Sequence, residues 1–174
     1  FVFSYDANGN LLRKQKEGGG DETTFTWDSR NRLTAISAPA YRASFAYDAL
    51  GRRVAKTITP QPAGAAVTTR FVYDGAQAIA ETRDGQTAHL LTAGIDELIA
   101  RYGTGNERIA LLDALGSVLA LTRADGSIAT RYAYSAHGET SKSGEADANA
   151  SQYTGREADE TGLYYYRARY YDPQ

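Results

Sequence analysis

Tyr5-Asp6-Ala7-Asn8-Gly9-Asn10 is echoed by Trp27-Asp28-Ser29-Arg30-Asn31-Arg32 and again by Tyr47-Asp48-Ala49-Leu50-Gly51-Arg52. A worn copy begins at Tyr73-Asp74-Gly75, and further copies read Leu112-Asp113-Ala114-Leu115-Gly116-Ser117 and Tyr134-Ser135-Ala136-His137-Gly138-Glu139. The unit is an aromatic residue, Asp, two variable residues, Gly and a polar residue. Internal repetition at roughly 20 residues points to a repeat architecture.

Each part of the unit has a physical reading. The residues before it alternate, as in Thr23-Thr24-Phe25-Thr26-Trp27 and Ala43-Ser44-Phe45-Ala46-Tyr47, which predicts strands with the aromatic rings on one buried face. The Asp starts a turn, because its carboxylate accepts a backbone N–H two residues on. The Gly supplies the positive φ that closes a type I turn in a hairpin. Asn31 stands in its place in the second copy and tolerates the same conformation. Alternation then resumes in Arg32-Leu33-Thr34-Ala35-Ile36 and in Arg53-Val54-Ala55-Lys56-Thr57-Ile58. Each repeat is therefore a β-hairpin, and six of them make a long sheet. Residues 93–102 place Ile95, Leu98, Ile99 and Tyr102 at helical spacing, but Gly94 and Gly103 bracket them and a strand with a turn is assigned. Residues 17–21 and 60–64 are loops, and 141–149 reads as a polar, solvated excursion.

Composition narrows the function. The chain has 174 residues, 19 Lys+Arg against 21 Asp+Glu, a formal charge of −2, two His, no Cys and no Met. That length is ample for a core, and near-neutral charge argues against a polyanion-binding surface, so no nucleic-acid partner is expected. Without Cys there are no disulfides and no thiolate chemistry, and two His leave a zinc site short of ligands. No stretch supplies the run of about 18 apolar residues that a membrane helix needs; the most apolar window, 109–121, is broken by Asp113, Gly116 and Ser117. The lack of any Met reads as a chain that starts and stops inside a longer protein.

Rival chemistries are weaker than the turn reading. Asp6, Asn8, Asn10 and Glu17 mimic the spacing of an EF-hand loop, but Leu11 occupies the glycine position and no helices flank it. Gly103-Thr104-Gly105 is a turn without the third glycine of a dinucleotide loop. His89 and His137 are isolated. Asn149-Ala150-Ser151 matches a glycosylation acceptor, relevant only to a eukaryotic secretory route. The tyrosines 164, 165, 166, 170 and 171, among Arg156, Arg167 and Arg169, read as sheet packing with the arginines paired to Asp and Glu. No metal or cofactor is expected.

These repeats resemble the YD repeats of Rhs proteins, toxin-complex C components and teneurins. The end of the chain is more specific: Tyr153-Thr154-Gly155-Arg156-Glu157, then 159–166, then Arg167-Ala168-Arg169-Tyr170-Tyr171-Asp172-Pro173, resembles the Rhs repeat-associated core motif. The resemblance divides the chain into YD-repeat hairpins at 1–111 and the core segment at 112–174, one continuous sheet. It implies an all-β fold in which hairpins form a spiralling antiparallel sheet, part of a hollow cocoon-like shell around a C-terminal toxin domain, used in bacterial competition or host intoxication. The implied partners are the rest of the same shell, the encapsulated toxin domain and a secretion apparatus such as a type VI spike, after synthesis in the bacterial cytoplasm and export. In many members the core segment directs an aspartic-protease-like self-cleavage. The catalytic aspartates belong to stretches normally downstream of Tyr170-Tyr171-Asp172-Pro173, so no catalytic residue is expected within 1–174, and the supporting arginine matches Arg169. The alternative functions are a part of that self-cleaving module, or a cell-surface adhesion or carbohydrate-binding module. The alternation predicts that Trp27 and Phe45 are buried, against the exposed aromatic platform that adhesion would favour.

Overall fold

The computed structural model of the protein describes residues 1–103 and 105–174. Thr104, in the turn read at Gly103-Thr104-Gly105, lies outside the described residues. Fourteen strands hydrogen-bond to one another in sequence order. They are β1 (Val2–Tyr5), β2 (Leu11–Gln15), β3 (Glu22–Trp27), β4 (Leu33–Ser37), β5 (Tyr41–Tyr47), β6 (Arg53–Pro60) and β7 (Val67–Asp74). The row continues through β8 (Gln77–Arg83), β9 (Gln86–Gly94), β10 (Glu97–Tyr102), β11 (Arg108–Leu112), β12 (Val118–Thr122), β13 (Ile128–Tyr134) and β14 (Thr140–Gly144). A second sheet joins β15 (Glu157–Ala158), β16 (Tyr164–Tyr165) and β17 (Tyr170–Tyr171). The chain forms two compact units, Phe1–Arg70 and Phe71–Gln174.

The first unit is built by the expected alternation. In β5 the side chains of Ala43 and Phe45 are buried while Arg42, Ser44 and Ala46 are exposed. Their facing strands contribute Leu33, Ile36 and Ile58 to the same core. At each repeat the ladder slips by one residue, between Ser4 and Tyr5, Thr26 and Trp27, and Ala46 and Tyr47. This is the bulge that a type I turn closed by a left-handed residue imposes. The slip at Ala46/Tyr47 turns Arg53 rather than Val54 fully inward, and its guanidinium sits 5.5 Å from the Phe45 ring centre. Trp27 departs from expectation: it is half-buried, for a reason given below, whereas Phe45 is buried.

In the second unit Val118, Leu121 and Tyr132 form a core, with Ala110, Leu112 and Tyr134 packed against it. Residues 93–102 are the end of β9, a turn and β10, as assigned. The solvated excursion is corrected in part. Its first residues belong to β14, an exposed outer strand whose Ser141 pairs with Ala133 and whose Gly144 pairs with Thr130. Four polar or small residues lacking apolar alternation hide such a strand from the sequence, because an edge strand needs no second buried face.

Candidate functional site

In an antiparallel meander every second connection falls at the same end, so the repeat turns of one unit line up as a row. Their geometry is uniform. The N–H of Asp6 donates to the Asn10 carbonyl (2.9 Å), and that of Gly9 to the Asp6 carbonyl (3.1 Å). The Asp6 Oδ1 accepts the N–H groups of Asn8 (2.9 Å) and Asn10 (2.8 Å). Asp28 and Asp48 repeat this with residues 30 and 32, and 50 and 52, and Asp113 with Leu115 and Ser117. In the copy at Tyr134 the Ser135 hydroxyl replaces the carboxylate, accepting from His137 (3.3 Å) and Glu139 (3.1 Å). The closing residues have φ of 81° at Gly9, 57° at Asn31 and 85° at Gly51. Two turns of the same backbone pattern, at Arg123–Gly126 and Asp159–Gly162, lie outside the sequence repeat, because Thr122 and Ala158 stand where the other copies have an aromatic residue or leucine. The worn copy at Tyr73-Asp74-Gly75 has a shorter turn, since β7 runs through Asp74 and β8 resumes at Gln77.

Neighbouring turns are tied together. The Asn10 amide donates to the Asn31 side chain (2.8 Å), and Arg32 donates to the Asp48 carbonyl (3.2 Å) while its guanidinium covers the Tyr47 ring at 4.9 Å. In three copies the aromatic residue reaches back to the strand that follows the preceding turn. Trp27 Nε1 donates to the Leu11 carbonyl (2.8 Å), the Tyr47 hydroxyl to Leu33 (2.8 Å) and the Tyr134 hydroxyl to Val118 (2.6 Å). The bulge displaces these strand-start carbonyls from regular pairing, and an aromatic residue with a polar tip satisfies them. That is why Trp27 stays at the rim, half-buried. Replacing Tyr47 by Phe is expected to cost about 1 kcal/mol, read as a lower urea midpoint, whereas Tyr5→Phe, at a ring 59% exposed, is expected to leave the midpoint unchanged.

The turn carboxyls are held below the ordinary carboxylate range. For Asp6 the Asn10 amide is the main cause. At Asp28 and Asp48 desolvation pushes upward, and the guanidinium and backbone N–H bonds from Arg32 and Arg52 outweigh it. Each group therefore binds its proton more weakly when folded. The stabilisation is fully present above about pH 4, where unfolded carboxyls are ionised, and is lost as pH falls through the lower folded values. The melting temperature should decline below about pH 4, and less steeply in an Asp28→Asn/Asp48→Asn double variant; identical slopes would refute the assignment.

In the second unit, the segment after β14 lies across the turn row. A short 3-10 turn, Tyr153–Gly155, brings the Thr154 N–H to the Ser117 hydroxyl (3.0 Å), and the Gln152 carbonyl accepts from the Val118 N–H (3.2 Å). Asp96, at the tip between β9 and β10, is the anchor. Its carboxylate receives both arms of Arg167 (2.7 and 3.2 Å) and Arg156 (3.0 Å), and its N–H donates to the Gln77 side chain (3.1 Å). Arg156 also lies over the Tyr166 ring at 4.9 Å, and the Tyr166 hydroxyl bonds Thr154 (2.7 Å). Gly155 presses directly on the Asp96 carbonyl. Further along, the Tyr153 ring lies flush on Gly138, the Tyr164 hydroxyl reaches Thr140 and the Gly138 carbonyl, and the Tyr171 hydroxyl donates to the His137 carbonyl (2.7 Å). Beneath this segment a cavity of about 60 Å³ is lined by Ala78, Leu98, Gly155, Arg156 and Tyr165 among others.

The core-motif residues Tyr153, Gly155, Arg156, Tyr166, Arg167 and Tyr171 thus meet at one junction, together with the repeat residues Gly116 and Gly138. Tyr170 packs beside Tyr165, with ring centres 5.4 Å apart. Asp172, before Pro173, accepts from the Gln174 N–H (3.1 Å). Arg169 stands apart: it is exposed, its carbonyl accepts from the Tyr166 N–H (2.8 Å), and its guanidinium forms no ion pair with a described carboxylate. Sequence reasoning missed Asp96, since Gly94-Ile95-Asp96-Glu97 lacks the repeat pattern. The one available signal was two core-motif arginines in need of a carboxylate. Among the described residues no cluster of three or more His, Cys, Asp or Glu could hold a metal ion, and no helix is long and apolar enough to cross a membrane. The Asp6 carboxylate of the EF-hand mimic is bound within its own turn.

The RHS Repeat family matches residues 5–43. Over 98% of the chain, the tRNA3(Ser)-specific nuclease WapA of Bacillus spizizenii is 33% identical and the probable deoxyribonuclease RhsB of Dickeya dadantii is 32% identical. The chain belongs to the Rhs family. The double-stranded DNA deaminase toxin A of Burkholderia cenocepacia is a further relative, 31% identical over 98% of the chain. The chain spans 7%, 13% and 14% of these Rhs relatives' lengths in turn. Its all-β fold matches the crystal structure of TcdB2-TccC3, with a TM-score of 0.73 at 21% identity over 97% of the chain and 9% of that one.

Proposed function

We propose that this Rhs chain is a wall segment of a toxin-carrying shell, holding and delivering a toxin domain rather than acting on a diffusible substrate. The observation that carries this reading is a contrast among its relatives. A tRNA nuclease, a DNA deaminase toxin and a probable deoxyribonuclease share this stretch end to end. One stretch common to three chemistries is the part that none of those chemistries depends on. A meander whose fourteen strands pair in chain order suits a wall, because each strand added finds its partner in the one before it. On this reading the sheet curls around its cargo, residues 112–174 are the core segment, and the assembled protein is exported, with a type VI spike as one route.

A second reading adds self-cleavage. Arg169, exposed and without an ion pair among the described residues, is the arginine that the core motif aligns with a supporting role. The intact mass of the parent protein, purified natively and then denatured, tests both readings. Two masses that co-elute before denaturation, with the split abolished by Arg169→Ala, support a self-cleaving shell that keeps its cargo. A split that survives the substitution keeps the shell and removes Arg169 from the cleavage. If a C-terminal domain is digested by protease as fast in the native protein as after denaturation, the enclosing wall is refuted.

A further inference from the structure

In the second unit several strands carry apolar residues on both faces. Ala110, Leu112 and Leu121 belong to the core, and alternation turns Ile109 and Leu111 the opposite way. On that opposite face the register aligns a cross-strand row. Leu91 stands opposite Ala100, Ala100 opposite Ile109, Ile109 opposite Thr122 and Thr122 opposite Ile128. Residues directly opposed in this way share a face. A second row places Leu111 beside Ala120 and Ala120 beside Arg131, and Tyr102 stacks on His89 with ring centres 5.4 Å apart. Leu91, Ile109, Leu111 and Ile128 are 37–48% exposed. Soluble proteins rarely leave a large contiguous apolar patch open to water.

The repeat itself does not demand such a face. In the first unit the outward rows are hydroxylic: Thr24 stands opposite Ser37, Ser37 opposite Arg42 and Arg42 opposite Thr59, and the next row joins Ser44, Thr57 and Thr68. Hairpins of one kind thus form with a wetted hydroxyl face, and the aliphatic face of the second unit is a property added to the fold.

Long and short side chains alternate across that face, with Ala100 and Thr122 between Leu91, Ile109 and Ile128. Ala120 and Thr122 are buried between their taller neighbours. Two furrows therefore run along β10 and β12. Their walls lie two strands apart, about 10 Å, wide enough for an extended chain with its side chains. Backbone groups in a sheet pair edgewise along the ladder and leave the face to side chains. In these rows Arg131 is the one full charge, and the Thr122 hydroxyl is turned to the Ile109 carbonyl (3.4 Å). Such a surface binds by apolar area, and it favours chain that has not folded over a domain whose large apolar side chains are already buried.

We infer that these furrows hold extended apolar segments of the parent protein's own cargo domain. The inference rests on the shell reading, and the occupant follows from it. Relatives with three different chemistries share this stretch, and each extends far beyond it. A wall that serves unrelated cargo sequences has to bind by area rather than by a fixed pattern of charges and hydrogen bonds. A second copy of the chain would need no such tolerance.

Photocrosslinking in the parent protein tests this, with p-benzoylphenylalanine placed either at Ile128, in a furrow wall, or at Leu50, in an exposed turn of the first unit. Native illumination, then denaturation and peptide mapping, should join the furrow probe to apolar stretches of the cargo at least tenfold more often than the turn probe. Leu91→Thr, Ile109→Thr and Leu111→Thr together, which copy the hydroxyl face of the first unit, should lower that yield at least tenfold. Limited proteolysis of the same samples separates the two readings. Protected cargo with no crosslinks from the furrow probe, or with crosslinks that survive the threonine substitutions, overturns the inference and leaves the shell. Crosslinks from the furrow probe to a second copy or to the wall overturn it as well. Cargo digested as fast as after denaturation overturns the shell, and this occupant with it.

Discussion

Gly155→Ala is expected to release the core segment from the turn row. Gly155 has φ of 69°, and a Cβ built there would lie 1.9 Å from the Asp96 carbonyl oxygen. The obstructing atom is backbone at a tight turn, so no rotamer change relieves it. Left-handed strain contributes about 1 kcal/mol and the overlap a further ~1–3 kcal/mol. That cost, together with loss of the contacts on either side, should exceed what holds a short segment in place. Hydrogen exchange over residues 150–172 of the parent protein should rise by at least tenfold. Gly162→Ala is the control: its φ is 84°, but nothing lies within 4 Å of its Cβ, so the strain acts without the overlap. Equal effects of the two substitutions would mean that the contact with Asp96 does not matter.

Removing the anchor carboxylate should have the next largest effect. Asp96 joins Arg167 and Arg156, its side chain is 19% exposed and the arginines are 34% and 22% exposed. Breaking a buried pair costs about 3–5 kcal/mol, and partial solvation of these groups lowers the expectation for Asp96→Ala to about 2–3 kcal/mol. Two half-covered guanidinium groups left facing each other make up much of that cost. Arg167→Ala should therefore cost little more once Asp96 is gone, and a double-mutant cycle on the urea midpoint measures that non-additivity. Simple additivity would show the three groups to be neighbours without energetic coupling.

The repeat turns were legible because everything they need is local. Asp6, Gly9 and Asn10 lie within five positions, and carboxylate, positive φ and strand bulge follow from residue type alone. The turns at Arg123–Gly126 and Asp159–Gly162 show the limit of that reading: the same backbone forms without the aromatic residue or leucine that marks the other copies. Trp27 shows another, since alternation sets which face a ring takes and not how deep it lies. Its depth follows from a carbonyl sixteen positions back. The junction was beyond reach for the same kind of reason. Arg156 and Arg167 announce a carboxylate partner, but 21 acidic residues compete for the place, and Asp96 is chosen 71 positions from Arg167.

Composition and periodicity by themselves determined an all-β chain of hairpins, the place of most of its turns and the exclusion of thiol and zinc-thiolate chemistry, because these depend on side-chain type and local backbone preference. The tertiary structure decided what those elements close around: Arg53 turned inward by a one-residue slip, and Asp96 gripped by two distant arginines. Each is an encounter between residues far apart in sequence, set by register and packing, which no window along the chain contains.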